Sequence, residues 1–257
     1  MSVTRETLSR FLNDYLNVSL YDDYCPNGLQ IEGKKTIKKA CFAVSATLDS
    51  IEKAVKQKAD ALIVHHGLIW KLQSEKTLTG PFAKRIFPLI QNNINLLGYH
   101  LPLDGHQHIG NAAVIAKKLG LLKIKPFCTY KKPEAHIGVQ GTFKTATGAE
   151  ALKKKLEKLL NHPVIISSPQ NGKKIKTMGI VTGGASSFHN NAATEGLDSY
   201  LTGEISEHDW HESSESGIHM FAGGHNATEE FGIKELMKKL KVKYNIETSF
   251  ISSSNPV

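Results

Sequence analysis

The sequence predicts an α/β protein made of two pseudo-equivalent layered lobes. Predicted strands and helices alternate along most of the 257 residues, which is the pattern of a layered α/β fold. Short apolar runs, of which Ala61-Leu-Ile-Val64 is the clearest, stop at histidine or glycine as buried strands do. The stretches 42–66 and 179–204 share the order strand, helix, strand, polar end. This internal similarity predicts two related units, each with a largely parallel sheet.

Residue patterns place the elements of the first lobe. Thr4 is the predicted N-cap of a helix whose apolar residues recur at helical spacing as far as Leu16. A turn-rich loop spans 25–33. Strands are predicted at 39–45, 61–64 and 94–99, and helices at 48–58, 81–92 and 111–120. Pro88 should kink its helix or end a turn, and Asn111 should cap the helix that Gly120 ends.

The second lobe follows the segment 123–133, where two prolines and four lysines predict a linker. Strands are predicted at 135–143, 164–167, 175–181, 199–202, 218–222 and 244–251, and helices at 149–160, 186–196, 207–216 and 227–240. The predicted lobes are 1–125 and 126–257. The last helix and strand, about 225–257, are candidates for packing on the first lobe.

Composition indicates a soluble globular chain. Hydrophobic residues make up 40 % and charged residues 22 %, which is ordinary for such proteins. There is no run of 18 apolar residues to predict a membrane span, and the amphipathic N-terminus does not resemble a signal peptide. The three cysteines have no metal-binding spacing, so we expect a reducing, cytoplasmic location.

The net charge of +8 admits two interpretations. One is a nucleic-acid or anionic-nucleotide partner, and the other is a solvated, lysine-rich surface. The lysines are spread over the chain without the interleaved aromatic residues of a stacking platform. We therefore favour the solvated surface and regard nucleic acid as the weaker prediction.

Polar side chains that bind metals follow several predicted strands. They are His65 with His66, His100 with Asp104, Glu204, and His225 with Glu229. The spacing of four places His225 and Glu229 on one helix face. Imidazole and carboxylate together suit zinc, manganese or iron. Two such ions about 3.5–4 Å apart form a common hydrolytic centre.

Each of these residues also has a simpler interpretation, which the sequence leaves open. His65 and His66 can cap the following loop by hydrogen bonding. Asp104 can form an Asx-turn before a glycine, and Glu229 can be a favourable charge in a first helical turn. We expect His100 to orient a ligand or to act as an acid or base, rather than to bind the metal.

Other polar groups are less specific. The segment Thr182-Gly183-Gly184 can cradle a phosphate at a helix N-terminus, but it lacks a full phosphate-binding pattern, so we expect a tight turn. Glu204 is equally compatible with a site wall and a strand-exit turn. Solvent exposure is expected for His106, His108, His208 and His211.

Several sequence blocks, in this order, resemble one known family. The blocks are Pro26-Asn-Gly-Leu-Gln-Ile-Glu-Gly33, Val64-His-His-Gly67, His100-Leu-Pro-Leu-Asp104, Gly110-Asn111, Thr202-Gly-Glu-Ile-Ser-Glu207, Gly224-His-Asn-Ala-Thr-Glu229 and Phe250-Ile with Asn255-Pro256. They cover the chain from end to end and resemble the Nif-three/YbgI family, whose members are often labelled GTP cyclohydrolase I type 2-like. The length is similar to that of the short bacterial form.

The resemblance implies a dinuclear centre between two α/β lobes, with two divalent ions (zinc, manganese or iron) per subunit. Its ligands would be His65, His66, Asp104, His225 and Glu229. It also implies a homohexamer, a trimer of dimers. Two features differ from close relatives: Asn226 stands where a second histidine is common, and His106-Gln107-His108 replaces a loop that often contains proline.

These observations favour a metal-dependent hydrolase-like enzyme, a GTP cyclohydrolase I type 2 homologue. It would activate water against an anionic or nucleotide-like substrate. The absence of a G-x-x-x-x-G-K-[ST] pattern leaves guanine unspecified. The alternative is a metal-binding scaffold or metal-handling ring without catalysis.

Overall fold

The computed structural model describes residues 1–71, 77–169 and 171–257. Its contacts divide the chain into two compact units. The first unit comprises Met1–Leu103 and Ile233–Ser254, and the second comprises Asp104–Gly232 and Asn255–Val257. This division falls earlier than the predicted 125/126 boundary, because the helix at Asn111–Leu119 belongs to the core of the second unit.

The described helices and strands follow in chain order. The strands are β1 Val3–Thr4, β2 Gly28–Ile31, β3 Thr36–Ile37, β4 Lys39–Ser45, β5 Ala61–His66, β6 Asn95–Gly98, β7 Leu122–Tyr130, β8 Lys132–Thr147, β9 Ile165–Ser167, β10 Ile175–Ile180, β11 Ser199–Thr202, β12 His219–Ala222 and β13 Glu247–Phe250. The helices are α1 Arg5–Tyr15, α2 Leu48–Lys56, α3 Gly80–Gln91, α4 Leu101–Asp104, α5 Asn111–Leu119, α6 Ala149–Leu160, α7 His189–Thr194, α8 Glu207–Glu215 and α9 His225–Tyr244. Short 3₁₀ turns lie at Val18–Leu20 and Ser186–Phe188.

The first unit is built on a five-stranded sheet of order β13-β4-β5-β6-β2. Neighbours among β13, β4, β5 and β6 run parallel, and β2 pairs antiparallel with β6 at one edge. Apolar side chains of β4, β5 and β6 form one core with α2 and α3. Strand β5 continues past its predicted end, since His66 pairs in register with Ser45. The two histidines therefore end the strand itself.

The second unit contains a six-stranded sheet of order β7-β8-β10-β11-β12-β9. Only β10, β11 and β12 run parallel among its described strands, so the prediction of a largely parallel sheet was wrong here. The predicted linker at 123–133 is instead part of the β7–β8 hairpin, which turns at Lys131 with φ of 58°. Lys123 and Lys125 lie on the edge strand β7, where charge is tolerated, and Lys131 lies in the turn. This explains the wrong prediction.

Several local predictions are confirmed. The Thr4 side chain accepts a hydrogen bond from the Thr7 amide and caps α1. Gly120 ends α5 with φ of 77°, in the left-handed region that favours glycine. The predicted helix α3 is also confirmed; it contains Pro88 and ends three residues later at Gln91. A kink at Pro88 stays a prediction.

The prediction that Asn111 caps α5 was wrong, because Gly110 occupies the N-cap position and Asn111 begins the helix. The Asn111 side chain has other partners. Its Nδ2 donates to Asp104, and its Oδ1 accepts from the Gly232 amide. Asn111 therefore links Asp104, a candidate ligand, to helix α9 at Gly232.

In the parts of the chain that the structure describes, no helix combines the length and apolar character needed to cross a membrane.

Candidate metal centre

Three imidazoles lie together in the first unit, at the ends of β5 and β6. One ring nitrogen of each of His65, His66 and His100 falls within 4.8 Å of one nitrogen of each of the others. The ring centroids are 4.6 Å apart for His65 and His66, and 5.0 Å apart for His65 and His100. Because β5 and β6 are parallel neighbours, their carboxyl ends bring these side chains to the same edge of the sheet.

Hydrogen bonds orient the first two imidazoles through Nδ1. The Nδ1 atom of His65 lies 2.9 Å from the carbonyl oxygen of Tyr99, and Nδ1 of His66 lies 2.9 Å from the Ser45 hydroxyl. A carbonyl oxygen can only accept, so Nδ1 of His65 carries the proton and Nε2 of the neutral ring does not. This is the tautomer that a metal-binding histidine adopts when a carbonyl holds its other nitrogen.

His100 pairs with Asp23, a residue that the sequence analysis did not identify. The Nδ1 atom of His100 lies 3.0 Å from Oδ1 of Asp23, and both side chains are buried. Asp23 also accepts hydrogen bonds from the amides of Cys25 and Leu101 and from the Asn27 side chain. Burial alone would raise the pKa of Asp23, but these hydrogen bonds and the nearby His100 outweigh it and lower that pKa.

Asp23 could have been suspected from its position four residues before Asn27, at the start of the turn-rich loop. That loop folds back because Asn27 Oδ1 accepts the His100 amide at 2.7 Å. Asp23 and His100 are nevertheless 77 residues apart in the chain. No local pattern connects them.

In the second unit, two carboxylates flank His225 at the start of α9. Nδ1 of His225 lies 2.5 Å from Oε1 of Glu204, and Nε2 lies 3.2 Å from Oε2 of Glu229. Burial alone would lower the pKa of His225, but the hydrogen bonds and charges of Glu229 and Glu204 outweigh burial and raise that pKa to about 9. Glu229 is only 2 % exposed, so it is not the solvated first-turn charge of the simpler interpretation.

Asp104 lies at the end of α4, in the same unit. Its Oδ1 accepts hydrogen bonds from Asn111 Nδ2 at 2.8 Å and from Thr182 Oγ1 at 3.2 Å. The side chain is buried, and one of its oxygens lies within 4.8 Å of an oxygen of Glu229. Two buried carboxylates this close need a cation or a shared proton.

Gly183 forms the turn after β10 and lies against the same side chains. Its φ is 70°, and a Cβ atom built on it would lie 2.2 Å from Glu229 Oε1 and 3.1 Å from His225 Nε2. The Gly183 amide also donates to Thr228 Oγ1. The turn is tight, as predicted, and it brings backbone against Glu229 at a distance that no side chain would allow.

The other polar candidates behave differently. Side chains of His208 and His211 are 68 % and 55 % exposed, which confirms the expectation of solvent exposure. His108 is exposed as well, whereas His106 is half-buried and its Nδ1 accepts the amides of His108 and Ile109. His106 therefore stabilises its own turn.

Comparison with known proteins relates the chain to one family. A model of the Duf34/NIF3 (NGG1p interacting factor 3) family matches residues 3–256. The chain belongs to the NIF3 family. Among curated relatives of this NIF3 protein are the GTP cyclohydrolase 1 type 2 homologs of Pasteurella multocida, 43 % identical, and of Vibrio cholerae, 41 % identical. Each alignment covers 97 % of this chain and 98 % of the relative.

Solved structures agree with the NIF3 assignment. A protein described as ybgI, of unknown function, is 34 % identical, with a TM-score of 0.93 over 99 % of this chain and 100 % of its own. The Thermus thermophilus protein TTHA1606 is 29 % identical, with a TM-score of 0.89 over the same shares. These likenesses confirm the predicted family and the α/β fold.

The donor set of this NIF3 chain fits divalent metal ions. In the first unit these donors are imidazoles with hydrogen-bonded Nδ1 atoms. Within the second unit they are His225 and the buried carboxylates of Asp104 and Glu229. Imidazole and carboxylate are the ligands that zinc, manganese and iron share. Groups of His, Asp and Glu atoms in the described residues lie close enough to hold an ion.

Proposed function

We propose that this NIF3-family protein binds two divalent metal ions through His65, His66, Asp104, His225 and Glu229, and uses them as a hydrolase-like enzyme. The observation that carries the proposal is the hydrogen bonding of the imidazoles. His65 and His225 both engage an acceptor through Nδ1, which supports Nε2 of each ring as the proposed ligand atom. The name of the curated relatives, GTP cyclohydrolase 1 type 2 homolog, supports the reaction class.

Bound divalent ions would polarise a substrate oxygen and lower the pKa of water. The Asp23–His100 pair supplies the rest of the proposed chemistry. The Asp23 carboxylate accepts a hydrogen bond from His100 Nδ1 and holds the ring, so His100 Nε2 can take up or release a proton. The substrate class we propose is anionic or nucleotide-like, since a cationic centre attracts negative groups.

Metal content tests the ligand assignment. In His65→Ala and in Glu229→Ala, we expect elemental analysis to find at least one ion fewer per chain, because each substitution removes a ligand atom. His211→Ala is the matched control, since that imidazole is exposed on α8. Unchanged metal in both ligand variants, with circular dichroism showing folded protein, would contradict the assignment.

Activity assays on variants of the Asp23–His100 pair distinguish the enzyme hypothesis from the scaffold hypothesis. A panel of phosphoesters, amides and cyclic nucleobase amidines would be assayed with metal-loaded protein. For the enzyme, His100→Ala and Asp23→Asn should keep their metal and lose about 10²–10⁴-fold in turnover, the usual contribution of a general acid or base.

The alternative function is a metal-binding scaffold or metal-handling protein. Outside the proposed ligands, the Asp23–His100 pair is the main acid–base group of the described imidazole cluster, and this sparse chemistry keeps the alternative open. Metal-loaded protein that turns over no member of the panel, with His100→Ala indistinguishable in metal content, would favour the scaffold.

We also propose a cytoplasmic homohexamer, a trimer of dimers, on the family resemblance. Light scattering should give six times the mass of the 28.3 kDa chain. A ring that encloses nucleic acid is the weaker proposal, and the net charge of +8 is its support. It requires duplex binding that falls steeply with added salt; no binding at low salt would remove it.

A further inference from the structure

A second group of metal-ligand atoms lies in the second unit, formed by His189, Asp209 and Glu212. One ligand atom of each falls within 4.8 Å of the others. His189 begins α7, and the two acids lie on α8 at a spacing of three, which places them on one helix face. The proposed ligands His65, His66, Asp104, His225 and Glu229 are not part of this group.

His189 is the unusual member of the group. Its side chain is 0 % exposed, and neither ring nitrogen has a hydrogen-bond partner among the residues that the structure describes. A buried imidazole without hydrogen bonds costs free energy, so such a group in a folded protein needs an explanation. The nearest polar atoms show what the ring is aimed at: Nε2 lies 3.4 Å from Asp209 Oδ1 and 3.9 Å from Glu212 Oε2.

The distance between His189 and Asp209 distinguishes two explanations. A charge-assisted hydrogen bond between imidazolium and carboxylate would place N and O about 2.7–2.9 Å apart. Two ligand atoms about 2.0–2.2 Å from one tetrahedral ion lie about 3.3–3.6 Å apart. The observed 3.4 Å, without hydrogen-bond geometry, matches two ligands of a shared ion.

The remaining contacts of Asp209 direct one oxygen into the group. Its Oδ2 accepts a hydrogen bond from Ser206, the residue that caps α8, and Ser186, just before α7, also hydrogen-bonds to this carboxylate. Oδ1 is the atom that faces His189, and the exposed His208 approaches it to 3.6 Å from the solvent side. Asp209 is 2 % exposed. Its hydrogen bond with the capping residue Ser206 orients the carboxylate.

Glu212 is the solvent-facing member, with 55 % of its side chain exposed. A rotation of this side chain can bring Oε2 closer to His189 without rearranging the core. It also leaves one side of the group open to water, which can complete a tetrahedral coordination.

We propose that His189, Asp209 and Glu212 bind a divalent transition-metal ion, at a site separate from the dinuclear centre proposed above. One imidazole and two carboxylates form a donor set of the kind that zinc accepts. The site joins α7 to α8, so the ion would stabilise the second unit.

Zinc titration of the metal-stripped full chain, in competition with a chromophoric chelator, tests the site. Glu212→Gln removes an exposed ligand and should leave the fold intact. We expect this variant to bind one zinc ion fewer per chain, or to bind that ion with an affinity lower by about tenfold or more. Glu215→Gln, an exposed acid one turn further along α8, is the matched control and should titrate as the wild type.

The same titration in a His65→Ala background separates this site from the dinuclear centre. The Glu212→Gln difference should persist there, because the proposed ligand sets share no residue. Nitrogen NMR of the His189 ring provides a second measurement, since zinc should shift Nε2. If Glu212→Gln binds zinc with wild-type stoichiometry and affinity in both backgrounds, or if zinc leaves the His189 ring unchanged, the proposal is wrong.

Discussion

In the first unit Asp60 precedes β5, and in the second unit Asp198 precedes β11 in the same way. Asp60 accepts two backbone N–H groups at and just before the start of β4, and Asp198 accepts two from the second and third residues of β10, all at 2.8–3.0 Å. Each carboxylate also pairs with a lysine, Lys34 or Lys173. The Asp60 and Asp198 carbonyls accept the amides of Asn95 and His219, which begin β6 and β12. The two units therefore share a strand-helix-strand frame down to individual hydrogen bonds.

The two frames end in different chemistry. Register pairs Val64 with Gly98 and Thr202 with Ala222, so Val64 and Thr202 occupy equivalent positions. Two residues beyond each, the first unit has His66 and the second has Glu204. Backbone hydrogen bonds and the buried aspartates thus build the shared frame, while the residues at the strand ends give each unit its own polar groups.

The largest difference in unfolding free energy between the two frames should appear when their close-packed glycines are replaced by alanine. In the second unit, a Gly183→Ala methyl would meet Glu229 Oε1 at 2.2 Å with φ of 70°, so we expect a loss of about 2–5 kcal/mol in unfolding free energy. In the first unit, a Gly67→Ala methyl meets only the end of the Gln30 side chain. Moving that side chain forfeits its hydrogen bonds with the Leu68 amide and the Pro26 carbonyl, each about 1 kcal/mol.

Urea unfolding of metal-stripped protein measures both effects. Gly196→Ala is the control, since Gly196 has φ of 67° but no atom within 4 Å of a built Cβ. It should cost only the conformational penalty, about 1–2 kcal/mol. If Gly183→Ala is no less stable than Gly196→Ala, the close approach to Glu229 adds nothing to the loss in unfolding free energy.

Replacing either shared aspartate, Asp60 or Asp198, should lower the unfolding free energy by a similar, intermediate amount. Burial raises the pKa of Asp60 and of Asp198, but their lysine and backbone hydrogen bonds outweigh it and lower both. A lowered pKa in the folded state stabilises the protein above the unfolded value of about 3.9, and the stabilisation is lost as pH falls through the folded value. Asp60→Asn and Asp198→Asn should each cost about 1–3 kcal/mol at pH 7.

Chemical unfolding between pH 3 and pH 7 tests this prediction. The difference between each variant and wild type should begin to shrink as pH falls below about 4, where the unfolded chain becomes protonated. It should be lost as pH falls through the lower pKa of the folded carboxylates. A pH-independent difference would mean that packing, rather than charge, is what the aspartates contribute. Unequal effects of the two variants would show that the frames are not energetically equivalent.

The smallest effects should come from exposed ion pairs on the two frames. Lys53 pairs with Asp49 on α2, and His211 pairs with Glu207 on α8, each four residues apart. Such pairs contribute about 0.3–0.5 kcal/mol and are screened by salt. Lys53→Ala and His211→Ala should therefore change the thermal midpoint by no more than about 2–3 °C. A larger shift would reveal a contact beyond the ion pair.

Much of the fold was predictable because its signals are local. The run Ala61 to Val64, the cap at Thr4 and the end at Gly120 each depend on neighbours within one or two turns, and the structure confirms them. The β7–β8 hairpin was missed, because lysine and proline on an edge strand resemble a linker when the partner strand is not considered.

Sequence patterns were enough to predict the family and the strand ends at which imidazoles and carboxylates emerge. Which of these side chains meet depends on the packing of distant elements. The tertiary structure paired His100 with Asp23, pressed Gly183 against Glu229, and aimed His189 at Asp209. These partners lie between 20 and 77 residues apart in the chain. Periodicity and capping act within a few residues, whereas such contacts follow from how whole strands and helices pack.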